Sequence, residues 1–316
     1  MTRTTNRVED FLANRFPDNS KLTDCLIDLH RRYADWGLKD TKFDQDFTDG
    51  TDDHFYAYLW EMLLASHLKA IGLDISSADE GPDFKIDRSG QTIWVEAICP
   101  SPSGLPDEWL RESRPGEVRV QSVPHEKMVL RWTAALKEKN EKLTGRPERD
   151  RVTGGDVVRP GYAAKGIVGP GDPYVIAVSS YRLGRFDTDT HVGISQMPFA
   201  VEAVFPVGPI EVVINRETME TVDTRHGHRL SIRKPSGAEV PTDSFLNPDY
   251  AGVSAVLGSP AGLNAACGAT APIVVVHNPL ATNRLPVGIL GAAQEYVAED
   301  KGDHYELRDV NEADGG

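Results

Sequence analysis

Along residues 20–36 the apolar side chains fall at Leu22, Leu26, Leu29, Tyr33 and Trp36, the spacing of an amphipathic helix with Ser20 as its cap. Residues 37–53 are polar, rich in Asp and Thr, and read as a loop. A more apolar helix is predicted from Phe55 to Ile71 and closed by Gly72, with Glu61 interrupting its hydrophobic run. The turn Asp79–Asp83 leads into a strand over Phe84–Ile86, and Arg88-Ser89-Gly90 turns the chain into a second strand over Thr92–Ile98. Prolines and glycines make 99–124 a long loop, and a charged amphipathic helix is predicted over His125–Leu143. Residues 144–172 read as a Gly- and Arg-rich connection. Pro173–Ser180 and Ile273–His277 read as buried strands, with shorter ones over Ile210–Asn215 and Leu230–Arg233. No internal repeat or clear linker divides the chain. The expected organisation is a helical extension (1–54), one elaborated α/β domain (55–297) and an acidic tail (298–316) that frays.

Composition adds bounds. The chain has 316 residues, 40% hydrophobic and 26% charged, the balance of a soluble globular protein. No apolar run approaches the roughly 20 residues that span a bilayer, so no membrane partner is expected. Charged residues follow the N-terminus in place of an apolar segment, so no secretory signal is expected. Cys25, Cys99 and Cys267 are odd in number and far apart, which predicts neither a disulfide framework nor a zinc site and points to a reducing cytoplasm. The net charge of −14 argues against a nucleic-acid coat protein, although a metal site is itself built from carboxylates. Basic residues concentrate at Arg146, Arg149, Arg151, Arg159 and Lys165, and again at Arg216, Arg225, Arg229, Arg233 and Lys234. Acids are interleaved in both strips, so solvated surface and phosphate-binding strip are equally good readings.

Three acids stand where chemistry is expected. Asp83 sits at the mouth of one predicted strand and Glu96 inside the next, 13 residues on. A tight antiparallel hairpin brings two such side chains to one edge. Glu96 interrupts the apolar run Ile93–Cys99, and burying a lone carboxylate costs several kcal/mol unless it is paired or bound to metal. The bland alternative is an exposed edge strand. Pro-Asp alone is ordinary turn chemistry, and Glu61 alone is an ordinary helix acid. Two or three rigid carboxylates suffice for magnesium, which neutralises phosphate charge and acidifies bound water.

The order of a helix-borne Glu61, then Gly81-Pro82-Asp83-Phe84, a strand carrying Glu96 and a basic helix resembles the PD-(D/E)xK (restriction-endonuclease-like) nuclease superfamily over residues 55–139. The resemblance implies a mixed central sheet flanked by helices, with additional strands in the C-terminal half. It implies Mg2+ (or Mn2+) on Asp83 and Glu96, with Glu61 as the extra helix-borne acid. The lysine of that motif belongs two residues after Glu96, where this chain has Ile98. Some members carry the lysine on the following helix. Here Lys139 shares the apolar stripe of Met128, Trp132, Ala135, Leu136 and Leu143 and must snorkel or find a carboxylate. Arg131 lies nearby as a phosphate ligand, and Lys127 is an alternative cation.

The expectation is therefore a metal-dependent endonuclease-type hydrolase of nucleic acid, DNA first, in a prokaryotic defence or repair role. Its alternative is an inactive nuclease-fold protein serving as a binding or assembly module, with room for a homodimer or a protein partner. A hydrolase centred on His277 is a third reading, although a core role for that residue is preferred. Gly169-Pro170-Gly171 lacks the following Lys-Ser or Lys-Thr of a P-loop, His226 and His228 lack a third ligand, and Ser179-Ser180 lacks the glycines of a nucleophile elbow.

Overall fold

The computed structural model describes residues 7–78, 80–88, 90–111, 116–149, 155–184, 192–302 and 304–312. Asp79, Ser89 and Arg151 lie outside the described residues.

The helices Arg7–Arg15 (α1), Ser20–Asp35 (α2) and Asp52–Ala70 (α3) form the first layer. Asn19, not Ser20, caps α2, its side chain accepting from the Leu22 N–H. The expected loop 37–53 contains a short helix, Phe43–Phe47, because its two aromatic ends are pulled fully into the core. The strands of the central sheet are Ile75–Ser76 (β1), Phe84–Arg88 (β2), Gln91–Ile98 (β3), Tyr174–Ser179 (β4), Ala255–Ser259 (β5), Val274–His277 (β6), Gln294–Asp300 (β7) and Tyr305–Asp309 (β8). These eight lie side by side in chain order. β1–β2–β3 is an antiparallel meander; β3, β4 and β5 run parallel; β5–β6 and β7–β8 are antiparallel, and β6–β7 is parallel. The helix His125–Thr144 (α4) crosses from β3 to β4, as a parallel pairing requires.

Alternation along the strands divides the core in two. Ile93, Val95, Ala97, Val175, Ala177 and Leu257 face α1–α3, whereas Trp94, Ile176, Val178, Val256 and Val276 face α4. The expected N-terminal extension shares the first of these cores, since Leu12, Leu29 and Phe47 are buried in it. Trp60 of α3 donates its indole N–H to the Ala177 carbonyl (3.0 Å), fixing that helix to the sheet. The architecture is mixed α/β, a large mixed sheet with helices on both faces.

Several expectations need correction. Cys25 and Cys267 form a disulfide across 242 residues, joining α2 to the short helix Leu263–Ala266. Sequence distance had hidden a spatial contact. The acidic segment after Ala298 does not fray up to residue 309. It supplies the end of β7 and all of β8, with charges paired across the strands, as Arg308 with Glu299 (3.6 Å). The connection 144–172 contains an antiparallel ribbon, Gly145–Arg149 with Asp156–Pro160. Ribbons also form from Val207–Ile214 with Thr221–His228, and from Ser231–Arg233 with Glu239–Pro241. Among the described residues no helix is long and apolar enough to cross a membrane.

Candidate active site

Gly81 opens the site. Its φ of 144° is a conformation side-chain-bearing residues avoid, and a Cβ there would lie 3.1 Å from Ile167. Pro82 follows, and Asp83 then enters β2. The β2–β3 register pairs Phe84 with Val95, and continued by one residue it sets Asp83 opposite Glu96 on the same face. Asp83 Oδ2 accepts from the Ala97 N–H (2.6 Å).

Glu96 is only 1% exposed, and β3 lies between β2 and β4, so the edge-strand explanation fails. Alternation turns its carboxylate toward α4. Lys139, itself buried, donates to Glu96 Oε1 at 2.8 Å, and Lys142 donates to the same oxygen at 2.8 Å. Glu96 Oε2 is buried with no hydrogen-bond partner. An acceptor left this way loses its hydration without replacement, at about 1–3 kcal/mol or more for a charged group. The Lys139 backbone is held from beneath, its carbonyl accepting from the Tyr174 hydroxyl (3.2 Å).

Glu61 reaches the same end of the sheet from α3. Glu61 and Asp83 keep part of their surface open, yet protein surrounds both. Burial, followed by the Asp83 charge, raises the Glu61 carboxyl well above its ordinary value, and Glu96 adds to this while Lys139 opposes it. Burial, then the Glu96 charge, pushes Asp83 up to about 7, against the pull of Lys139 and the Ala97 N–H. Burial works against the Lys142 ammonium, but the adjoining Glu96 carboxylate outweighs it and holds that group above its usual value. Burial and then the Glu96 and Asp83 charges likewise raise the Tyr162 hydroxyl.

The structure thus gathers Glu61, Asp83, Glu96 and Lys139, from four separate elements, at one end of β3. Arg131 is not gathered with them. It sits eight residues before Lys139, about 12 Å along the helix, where its Nε is buried without a partner, and none of the ion pairs among the described residues joins it to these acids. Lys127 lies one turn earlier still. Lys142 and Tyr162 belong to the site and escaped the sequence reading. Lys142 lies three residues beyond Lys139 on a helix face that reads as solvent, and Tyr162 in a connection without periodicity.

The site's chemistry fits a divalent cation in donor type: oxygen ligands only, two of them weakened acids and one with an orphaned buried oxygen. It is not a finished shell, because among the described residues no group of three His, Cys, Asp or Glu stands ready to hold a metal. The lysines on Glu96 Oε1 occupy part of that space.

The remaining sequence signals are structural. His277 is buried at the end of β6, bonded through Nε2 to Glu295 Oε1 (2.7 Å), whose oxygens both accept from the Gly288 N–H (3.0 and 2.9 Å). Ser179 and Ser180 are buried beside the Ala261 and Ser259 carbonyls. His226 and His228 lie on a ribbon strand. In the second basic strip Arg225, Arg229 and Arg233 are matched to Glu211, Glu202 and Glu239. No family model, no curated protein and no solved structure matches this chain.

Proposed function

We propose that this chain is a metal-dependent nuclease of the PD-(D/E)xK, restriction-endonuclease-like kind, hydrolysing phosphodiesters of nucleic acid and DNA first. The observation that carries the reading is Glu96: a carboxylate buried mid-sheet, opposite Asp83, with two helix lysines on one oxygen and no well-aligned donor on the other. Structural economy gives no reason to keep such a group, because an apolar residue would fill β3 without the desolvation cost.

In this reading Asp83 and Glu96 would hold Mg2+ or Mn2+, with Glu61 assisting. Such an ion would neutralise phosphate charge and lower the pKa of the attacking water. The chain's own residues set the geometry. β2 and β3 fix the two carboxylates on rigid strands, and the Ala97 N–H holds Asp83 in one rotamer. Lys139, delivered from α4 in place of the strand lysine that Ile98 replaces, orients the nucleophile or stabilises charge developing on the phosphate. Arg131 has no part in the reading. A cytoplasmic site of action goes with a DNA substrate, and the Cys25–Cys267 bond counts against a strongly reducing one.

One observation favours a second reading, a nuclease-fold binding module without catalysis: Glu96 is already neutralised from within by Lys139 and Lys142. Magnesium-dependent nicking of supercoiled plasmid separates the two. The proposal predicts nicking by the wild type and a loss of at least about a hundredfold in Asp83→Ala, the scale of one catalytic group. Activity surviving the substitution sinks the site, and an inert wild type leaves the second reading.

A further inference from the structure

A cavity of about 450 Å³, in the range of small-ligand pockets, opens where α4 ends and the ribbon of Gly145–Arg149 with Asp156–Pro160 begins. Four cations line it: Lys142, Arg146, Arg159 and Lys165. Glu138 and Glu141 line it too, leaving an excess of two positive charges in a chain whose net charge is −14. Glu141 is already engaged by Lys137 (3.7 Å). Tyr162 and Lys142 lie on its wall and border Glu96 as well, so the cavity adjoins the acid cluster.

The ribbon is held in place at its base. The Tyr162 and Ala163 N–H groups donate to the Lys142 and Leu143 carbonyls (2.8 and 3.0 Å), capping the end of α4. Gly161 passes so close that a Cβ would fall 2.3 Å from the Leu143 carbonyl oxygen, so only glycine allows this contact. Beyond its base the ribbon is exposed along both strands. A two-stranded ribbon with so little burial is marginal by itself. Its register adds a further cost, because Arg146 stands directly across from Arg159, a like-charge pair that opposes pairing. Among the described residues Arg146 has only Glu148 as a distant partner (3.9 Å), and Arg159 and Lys165 have no acidic partner. An anion between the two guanidinium groups reverses the sign of that interaction, and planar guanidinium donors match phosphate oxygens.

We propose that this pocket grips the DNA backbone phosphate flanking the bond that the neighbouring acid cluster cuts; this rests on the nuclease reading above. The two Arg side chains clamp the flanking phosphate, Lys165 adds to the field, and Lys142 bridges the grip to Glu96. Arg146, Arg159 and Lys165 of the first strip then have a function that a solvated surface does not give them.

The test is binding of a fluorescein-labelled DNA duplex by the full chain in EDTA, which holds chemistry off, across a salt series. Arg146→Ala/Arg159→Ala should bind about tenfold more weakly, with the slope of log affinity against log salt reduced by about 1–2. Its melting temperature should be no lower than the wild type's, since both side chains are exposed and their repulsion is removed, and Arg159→Gln alone gives an intermediate loss of binding. Asp83→Asn should bind DNA no more weakly than the wild type, because it lies in the acid cluster and not in the grip. Inorganic phosphate and a nucleoside monophosphate should compete no better than chloride at equal ionic strength; displacement by either assigns the pocket to a free phosphate and overturns the claim. Equal affinity and equal salt slope in the double variant overturn it, as does a wild type that binds no duplex. If the wild type cuts with magnesium while the double variant binds normally, the nuclease stands and the grip falls. If Arg-dependent binding is found without cutting, the grip stands and the nuclease falls.

Discussion

Two glutamates, each almost entirely buried, are treated in opposite ways by this fold. Glu202, in the short helix Phe199–Glu202, is fully satisfied: Oε1 accepts from the Ser195 N–H (2.6 Å) and hydroxyl (2.5 Å), and Oε2 from Arg229 (2.6 Å). Glu96 has two lysines crowded on one oxygen, none on the other, and two further acids beside it. A complete cage locks a loop in place and leaves nothing to bind. An incomplete one among repelling carboxyls leaves an acceptor and several like charges uncompensated, and the proposed cation site rests on that imbalance. Where each oxygen goes, more than burial or charge alone, separates the anchor from the proposed site.

The largest effect is expected at Glu202. Glu202→Ala leaves Arg229, only 13% exposed, without its counter-charge. It should destabilise the protein by about 3–5 kcal/mol in chemical denaturation. A change below about 1 kcal/mol would remove Glu202 as a structural reference. Next comes the opposite sign at the site. In the metal-free protein Asp83 titrates at about 7, against about 4 in an unfolded chain. Between those values the folded form holds a proton that the unfolded form has released, so stability falls as pH rises from 4 to 7 and levels off above. Asp83→Asn removes that penalty. It should melt at the wild-type temperature near pH 4 and above it at pH 8, by an amount worth a few kcal/mol. A gain independent of pH would mean that the carboxyl is not the source. Smallest is Lys142→Gln. Lys142 is 44% exposed and Lys139 still holds Glu96, so its cost should stay under about 1 kcal/mol.

The acid cluster was legible because it violates local pattern. A charge inside the apolar run of β3, 13 residues after Pro-Asp, and a lysine on the apolar stripe of α4 each conflict with burial unless they meet. Other features left no such trace. β5, Ala-Val-Leu-Gly-Ser, is a short run without alternation between Gly252 and Pro260 and no strand is predicted there, yet it lies in the middle of the sheet, buried along its length. β8 is an edge strand whose charges look like a fraying tail, and the end of β7 belongs to the same acidic segment. The ribbon strands Gly145–Arg149 and Asp156–Pro160 are solvent-exposed and carry no alternation, and the Cys25–Cys267 pairing exists only after folding. Pattern reading finds conflicts with burial; it does not find exposed ribbons or partners brought together across the chain.

If the proposed nuclease is right, a divalent ion binds between Asp83 and Glu96. Crystals soaked in manganese should then show an anomalous peak against both carboxylates, lost in Asp83→Asn. No peak at saturating manganese, with Lys139 still seated on Glu96, rules the metal site out.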